Sequence, residues 1–341
     1  MLSLVSDTDR VNDSDDDAGV PDASFIVAAF NVAPFIEEAV HSALAQSGVG
    51  VEVIVVDDAS TDGTAEIVER LAAKDPRIIL LRQTQNAGPG AARNAALKRA
   101  RGRWICILDG DDYIVPERTS ALIACAGATG ADIVGDNFER VSYDGEPTGR
   151  LLFPSARVPF LFSVDAPRFI LANEVLGKEA FSLGAIKVIV RSEFLRKHSI
   201  WHLEDLPVGE DFQFILACLF QGARFVVTSE PGYKYRLRPG SQSWRLTDEH
   251  MTKLRVAHTA IAADAERFGN ADAVQAVRSY GAALLRTTDF VTTVSLAKAG
   301  LWKNAALSAL THPHAWPLFI KYGSRALMNR FRRSASKAQS G

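Results

Sequence analysis

The sequence lacks long apolar runs and has few cysteines. No window reaches about 18 consecutive apolar residues, so the sequence predicts no transmembrane helix. There are 3 cysteines, at positions 106, 125 and 218, and their separations match no metal-ligand motif. Two of them fall in apolar runs, so we expect buried, reduced thiols in a cytosolic protein.

An excess of positive charge is also lacking, because the formal net charge is −2. We therefore expect no nucleic-acid partner. Acidic residues are concentrated near the start, with aspartate at positions 7, 9, 13, 15, 16, 17 and 22. We expect residues 1–22 to form a disordered acidic leader. A secretory signal peptide would need a basic start followed by an apolar run, and neither is found.

Acidic residues are absent from the last stretch of the chain. From residue 321 onward every charged residue is basic, namely Lys321, Arg325, Arg330, Arg332, Arg333 and Lys337. Aromatic residues such as Trp302, Trp316 and Phe331 precede and accompany them. The combination suits a peripheral segment on an anionic membrane surface. An amphipathic helix that packs on its own domain is the alternative.

Strand-like and helix-like segments alternate between residues 23 and 135. Apolar runs at 25–29, 51–56, 78–81 and 104–108 predict buried strands, and a further strand is expected at 132–134. The segments between them predict helices, which begin near Pro34, after residues 57–64, near Pro89 and near Pro116. Short loops join these elements, which predicts a parallel α/β sheet.

The pattern is less regular after residue 135. We expect a turn at 143–147, irregular or extended chain at 151–162, and a short helix around 169–176. Strands are predicted at 186–190 and 224–228, and helices at 191–198 and from about 210 onward. Residues 247–310 are rich in alanine, poor in glycine and helical in pattern.

Three carboxylates stand at the end of the strand at 104–108. Side chains alternate along a strand, so Asp109 and Asp111 are expected to project toward one side. Two carboxylates that close repel each other unless a cation lies between them. Because α/β folds bind ligands at the carboxyl ends of their strands, a divalent cation carrying a diphosphate fits here. The alternative is an ordinary Asp-rich surface turn.

Three further motifs accompany this strand end in a fixed order. They are the pair Asp57-Asp58 after the second strand, the loop Asn86-x-Gly88 with Ala92-Arg93-Asn94, and Gly209-Glu210-Asp211. Together they resemble family 2 glycosyltransferases, inverting enzymes that use nucleotide sugars. Among these, the arrangement is similar to bacterial exopolysaccharide glucosyltransferases of the succinoglycan β-1,6 type.

The resemblance covers residues 23–241 and implies the GT-A fold, a Rossmann-like, mostly parallel sheet flanked by helices. It implies a nucleotide-binding half at 23–135 and an acceptor-binding half at 136–241. A helical C-terminal region with a basic amphipathic tail would then occupy residues 242–341.

The resemblance also implies which residues bind the nucleotide sugar. Asp58 would accept the imide N–H of uracil, and Phe30 would stack on the base, although Phe30 also suits a core position. Further contacts are expected from Ala28, Asn31 and Asn86. Asp57 is expected to be structural, as a cap or a ribose contact.

The loop at residues 88–90 and two arginines are expected to meet phosphate. Gly88 opens a helix whose free N–H groups favour an anion, but the spacing is not that of a dinucleotide fingerprint. Arg93 would contact the nucleotide or brace the Asp-rich strand end, unless it is a surface arginine. Arg236, in Tyr233-x-Tyr235-Arg236, would bind phosphate in the segment that closes over the diphosphate.

For metal and catalysis, Asp111 is the expected main ligand, with Asp109 beside it on ribose or metal, and Mn²⁺ or Mg²⁺ is the expected ion. Asp211 is the candidate base that takes the acceptor proton, with Glu210 assisting. An N-cap role for Asp211 and a base role for His202 are the alternatives. Asp112 is expected to cap the loop before Pro116.

The sequence therefore predicts an enzyme at the cytoplasmic face of the plasma membrane. It would transfer a sugar, expected to be glucose from UDP-glucose, in β-linkage onto a polyprenyl-diphosphate-linked glycan during exopolysaccharide assembly. A nucleotidyltransferase is a second possibility, but it would need a Gly-rich, basic loop after the first strand, and residues 30–33 do not provide one. A non-catalytic assembly protein of the same fold is a third.

Overall fold

In the computed structural model the described residues are 19–154, 159–173, 182–206, 208–238 and 247–322. Most of the expected acidic leader and nearly all of the basic tail therefore lie outside the described residues. The strands are β1 Ala23–Ala29, β2 Val51–Asp57, β3 Ile78–Arg82, β4 Trp104–Asp109, β5 Tyr113–Ile114, β6 Ile133–Val141, β7 Pro147–Leu151, β8 Leu161–Val164, β9 Val188–Arg191 and β10 Phe225–Arg236.

Helices pack around these strands. They are α1 Ile36–Leu44, α2 Thr64–Ala72, α3 Pro89–Arg99, α4 Arg118–Thr129, α5 Ala166–Leu171, α6 Ser192–His198, α7 Glu210–Phe220, α8 Asp248–Phe268, α9 Ala271–Lys298 and α10 Trp302–Thr311. Pro89 occupies the first helical position of α3, where its fixed φ and missing N–H cost nothing.

All the strands belong to one sheet, ordered β3-β2-β1-β4-β9-β6-β10-β5, with β7 on β6 and β8 on β10. The pairs β1–β2, β1–β4 and β2–β3 are parallel, which confirms the predicted parallel α/β unit. The apolar runs that predicted β1, β2 and β4 are almost fully buried, because helices cover both faces, whereas β3 at the end of the sheet is only partly buried. The mostly parallel sheet flanked by helices, followed by a helical C-terminal region, is confirmed.

The second half of the sheet is mixed. Strand β9 runs antiparallel to both β4 and β6, while β6 and β10 are parallel to each other. Both β6 and β10 extend well beyond the strands predicted at 132–134 and 224–228. The apolar pattern marked only their first residues, because the later residues of both strands include polar side chains, some of which, such as Asp136 and Asn137, are buried. Two segments here lie outside the described residues. They are 155–158, in the stretch predicted as irregular or extended, and 174–181, which begins inside the predicted short helix.

The cysteines are unpaired thiols. Cys106 and Cys218 are buried, as expected from their apolar surroundings, and burial raises the pKa of Cys106 to about 12. Cys125 is only partly buried.

The C-terminal helices lie on the second half of the domain, where α9 packs against α5 and α8, and α10 packs against α9. Among the described helices, none combines the length and hydropathy that a membrane span requires. The aromatic rings of Phe319 and Tyr322 lie 5.0 and 5.6 Å from that of Phe290 in α9. Part of the predicted amphipathic segment therefore packs on its own domain.

A buried ionic network ties the sheet together at the edge opposite the strands' carboxyl ends. Glu52 in β2 is 2% exposed and accepts hydrogen bonds from the Ser24 hydroxyl at 2.6 Å and the Arg101 backbone N–H at 2.8 Å. The Arg101 guanidinium adds a contact of 3.0 Å. Burial alone would raise the pKa of Glu52, but these hydrogen bonds and the charge of Arg101 lower it below the ordinary value.

We predict that Glu52→Gln lowers the free energy of unfolding by about 2 kcal/mol near neutral pH, since hydrogen bonds to charged groups contribute roughly 1.5–3 kcal/mol. A carboxyl with a lowered pKa in the folded state stabilises the protein above its unfolded-state pKa. That contribution is lost as the pH falls through the folded-state pKa. Urea denaturation of both proteins should therefore give curves that converge in acid. Equal stability near neutral pH would contradict the prediction.

Candidate active site

The loops after β1 and β2 are joined at the carboxyl edge of the sheet. The Asn31 backbone N–H donates to the Ser60 hydroxyl at 3.0 Å, and its side-chain oxygen accepts from the Thr61 N–H at 2.9 Å. Asn31 has a φ of 51°, which asparagine tolerates better than most residues. Ala28 lies near the end of β1, in register with Asp109 of the neighbouring strand β4. Phe30 is 39% exposed, so its alternative as a core aromatic is wrong.

Asp58 is buried at the end of β2 and holds the next loop. Its two carboxylate oxygens accept the backbone N–H groups of Ala87 at 2.7 Å and Gly88 at 2.9 Å. The Asn86 amide donates to the Asp58 carbonyl at 3.3 Å. Burial outweighs these hydrogen bonds and raises the pKa of Asp58. The anion that the sequence predicted in front of α3 is therefore, in this structure, the protein's own carboxylate.

The start of α3 is also covered by the loop before α7. A Cβ on Gly90 would stand 2.4 Å from the Leu203 carbonyl oxygen, so only glycine allows this approach. The Asn94 amide donates to the His202 carbonyl and to Glu204, both at 2.9 Å, and its oxygen accepts the His202 N–H. Helix α3 and this loop are thus fixed to each other.

Arg93 lies at the centre of the site. Its guanidinium is 3% exposed and contacts three carboxylates, Glu210 at 2.7 Å, Asp109 at 2.7 Å and Asp211 at 3.0 Å. The alternative of a surface arginine is therefore wrong. The structure brings the end of β4 and the start of α7 together through this one side chain.

A second cation, Lys187, lies opposite Arg93. Its ammonium contacts Asp109 at 2.8 Å and Asp211 at 2.6 Å. Sequence reasoning missed this residue, because it was placed inside an apolar predicted strand. A lysine within a run of buried aliphatic residues was the available signal, since a buried lysine nearly always has an acidic partner.

The two cations determine the charge of the acids. Burial alone would raise the pKa values of Asp109 and Asp211, but Arg93 and Lys187 lower both below the ordinary range. Glu210 differs, because burial and the charge of neighbouring Asp211 raise its pKa. Asp211 is thus ionised because of two paired cations, which adds to the expected effect of the helix N-terminus.

His202 is neutral at physiological pH. Burial, and then the charge of Arg93, lower the pKa of His202 to about 3. Its ring stacks on Phe214 with centroids 4.1 Å apart. The ring contacts favour a packing role over the alternative of a catalytic base.

Asp111 and Asp109 face different cations of the protein. Strand β4 ends at Asp109, and the Asp112 N–H bonds back to its carbonyl at 3.1 Å, so Asp111 lies in a turn and strand alternation does not apply. Asp111 pairs with Arg238. Asp112 accepts the Arg236 N–H at 2.7 Å and the Tyr233 hydroxyl at 2.8 Å, and so fastens the turn to β10.

The guanidinium of Arg236 is hydrogen-bonded within the protein. Its three guanidinium nitrogens donate to the Asp111 carbonyl, the Tyr143 carbonyl and the Glu38 carboxylate. Residues 233–236 also belong to β10, which is paired in the sheet, and not to a loop that closes over a ligand. These contacts argue against the expected phosphate contact of Arg236. Arg238 is more accessible, because its side chain is 24% exposed whereas that of Arg236 is 3% exposed.

The described residues suit the expected metal ion only in part. Within the described ranges, no three acidic, histidine or cysteine side chains converge on a common metal position. Both oxygens of Asp109 already face a cation, whereas only one oxygen of Asp111 does. Mg²⁺ commonly takes one or two carboxylates together with substrate phosphates. Asp111 fits that role, and Asp109 fits it poorly.

The geometry can be compared with known proteins. The family model "Glycosyl transferase family 2" matches residues 24–193. The chain is 37% identical over 318 residues to "Succinoglycan biosynthesis protein ExoO" of Rhizobium meliloti (strain 1021), which covers 93% of this chain and 88% of ExoO. The protein belongs to glycosyl transferase family 2.

A second relative and a solved structure agree with this assignment. "Succinoglycan biosynthesis protein ExoU" of the same organism is 30% identical over 326 residues, covering 94% of this glycosyltransferase and 92% of ExoU. The crystal structure of S. aureus TarS 1-349 in complex with UDP-GlcNAc superposes with a TM-score of 0.61, covering 88% of this chain and 92% of that one. At 22% identity, this likeness shows the shared GT-A fold.

We predict that Arg93→Lys lowers the free energy of unfolding by about 3 kcal/mol, because one ammonium cannot span three buried carboxylates. Arg99→Lys, at the exposed end of the same helix, should change it by less than about 0.5 kcal/mol. Urea denaturation of the two variants checks this. Similar losses in both, or none in Arg93→Lys, would show that the cluster does not support the fold.

Proposed function

We propose that this glycosyltransferase transfers a sugar, expected to be glucose, from a UDP-sugar to a lipid-linked glycan by single displacement with inversion. The observation that carries the proposal is the juxtaposition of Asp211 and Asp109. These carboxylates come from elements more than a hundred residues apart and are held by Arg93 and Lys187 at the carboxyl edge of the sheet. This is the edge where α/β folds bind their ligands.

The nucleotide would lie across the ends of β1 and β2. Phe30 is exposed there and free to stack on a base. Asp58 is the proposed partner of the uracil imide, and Ala28, Asn31, Asn86 and Gly88 form the surrounding loops. A UDP-sugar is favoured because S. aureus TarS, which shares the fold, was solved with UDP-GlcNAc.

Asp211 would take the proton of the attacking hydroxyl. It lies in the first turn of α7, side by side with Glu210, and is ionised. The low pKa of Asp211 in the resting enzyme makes it a weak base. Negative charge from a bound diphosphate would raise that pKa and bring it closer to the operating pH. Glu210 would assist through the guanidinium of Arg93 that both acids share.

Asp111 would hold the metal ion, Mn²⁺ or Mg²⁺, on its oxygen that does not face Arg238. When bound, such an ion stabilises the negative charge that develops on the departing nucleoside diphosphate. Arg238, whose partly exposed side chain lies beside Asp111, would contact the diphosphate, and this proposal replaces the one made for Arg236.

The pathway is proposed from the relatives. ExoO and ExoU are named for succinoglycan biosynthesis, and they match this chain over nearly its whole length. We propose a similar role in exopolysaccharide assembly, with a polyprenyl-diphosphate-linked glycan as the acceptor and the cytoplasmic face of the membrane as the place of work.

The test is UDP release from a panel of UDP-sugars, with membrane lipid extract as acceptor and with Mn²⁺, Mg²⁺ or EDTA. Asp211→Asn should reduce turnover by at least about 100-fold, since general-base catalysis typically contributes 10²–10⁴-fold. Asp111→Ala should abolish the stimulation by metal. Asp205→Asn, an exposed acid in the loop before α7, is the control and should retain activity.

Each outcome has a clear meaning. Turnover of one UDP-sugar, lost in Asp211→Asn and Asp111→Ala but kept in the control, supports the proposal and identifies the donor. Wild-type protein that binds no UDP would contradict the donor assignment. Undiminished turnover in Asp211→Asn would contradict the assignment of the base.

We also propose that the C-terminal helices rest on an anionic membrane surface. Large apolar side chains project into solvent there, at Leu301, Trp302, Leu307, Leu310, Trp316 and Ile320, each at least 48% exposed. In the sequence, these residues are followed directly by the stretch from residue 321 onward, in which every charged residue is basic. Apolar side chains beside positive charge suit the headgroup region of an anionic bilayer, where the acceptor would reside.

We predict that the protein sediments with vesicles containing phosphatidylglycerol at low ionic strength, and less with purely zwitterionic vesicles or at high salt. Trp302→Ala combined with Trp316→Ala should weaken binding by about tenfold, because each ring buries apolar area in the interface. Trp201→Ala, an exposed tryptophan on another part of the surface, is the control. Protein that stays entirely in the supernatant would contradict the proposal.

A further inference from the structure

Lys187 lies immediately before β9, and its side chain is buried between two other elements. The ammonium contacts Asp109 at the end of β4 and Asp211 at the start of α7. Only 7% of the side chain is exposed, so it has little access to a bound substrate. Its position therefore depends on the protein alone.

The main chain of Lys187 is also held by a hydrogen bond. Its carbonyl accepts a hydrogen bond from Arg118 in α4 at 2.5 Å. Arg118 is itself held by a buried ion pair with Asp136 in β6 at 2.7 Å. The position of Lys187, and with it that of the two carboxylates it contacts, therefore depends on α4 and β6.

The two cations divide the oxygens of the two acids between them. Arg93 faces Oδ1 of Asp109 and Oδ1 of Asp211, at 2.7 and 3.0 Å. Lys187 faces Oδ2 of both, at 2.8 and 2.6 Å. The four side chains form a closed ring of ion pairs. Removal of Lys187 would leave each carboxylate held on one side only, free to turn about its side-chain torsions.

We propose that Lys187 is a positioning residue for sugar transfer, which fixes the orientation of Asp211 relative to Asp109. The inference rests on the proposed function, in which Asp211 is the base and Asp109 borders the donor site. A group that orients the base without touching the donor affects the chemical step and leaves donor binding nearly unchanged. Misplacing a catalytic group by about 1 Å can cost about 100-fold in rate.

The experiment compares full-length wild type with Lys187→Met and Lys187→Arg. For Lys187→Met we expect kcat for UDP release to fall by at least about 30-fold, because the base is no longer oriented. The KM for the donor and the Kd for UDP, measured by calorimetry, should stay within about threefold. Lys187→Arg keeps the charge with a different shape, so its kcat should lie between those of wild type and Lys187→Met.

Glu52→Gln is the matched control, because it disrupts another buried ionic network at the opposite edge of the sheet. It should lose stability but keep the wild-type kcat. If Glu52→Gln and Lys187→Met lose kcat equally, or if Lys187→Met loses UDP binding in parallel with kcat, the role of Lys187 is only structural and the proposal fails.

The remaining outcomes separate this proposal from the proposed function. A wild-type protein without turnover on any UDP-sugar contradicts the function itself. An active wild type with an equally active Lys187→Met contradicts only the role of Lys187. If Lys187→Met does not fold, Lys187→Arg decides: a lower kcat with unchanged UDP affinity supports the proposal, and a wild-type kcat overturns it.

Discussion

The site depends on one interaction, the ring of charges that Arg93 and Lys187 form with Asp109 and Asp211. Buried ion pairs are costly, since desolvating the charges offsets much or all of their attraction. Apolar residues could fill the same volume with no loss of stability. A ring of buried charges at the ligand-binding edge of a sheet is therefore better explained by what it positions than by what it stabilises.

This ring also determines how the acids differ. Asp109 and Asp211 are ionised because two cations face them, whereas the pKa of Glu210 is raised by burial and by the charge beside it. Acids with separated pKa values, brought together at one edge, suit proton transfer better than a uniform set.

The sequence predicted the parts of this structure that depend on local pattern. Buried apolar runs located β1 to β4, and the motifs singled out the acids that follow β4 and those that open α7. It could not predict that Lys187 meets Asp211, because the contact depends on how β9 inserts antiparallel between β4 and β6. The expectation that Asp109 and Asp111 project toward one side rested on strand alternation, which ends with β4 at Asp109. The contacts of Arg236 could not be predicted, because its partners come from helix α1 and from two turns that are distant in sequence.

Asp58 connects the proposed nucleotide site to this ring. Its carboxylate holds the Ala87 and Gly88 N–H groups in front of α3, and α3 carries Arg93. Each carboxylate oxygen has two lone pairs, so both hydrogen bonds leave capacity for an imide donor. An asparagine would turn N–H groups toward a backbone donor and lose this arrangement. A ligand that binds the Asp58 carboxylate would therefore affect the loop that positions α3. Through Arg93, it would also affect the orientation of Asp211. In the proposed mechanism, recognition of the base and orientation of Asp211 therefore depend on one connected set of contacts.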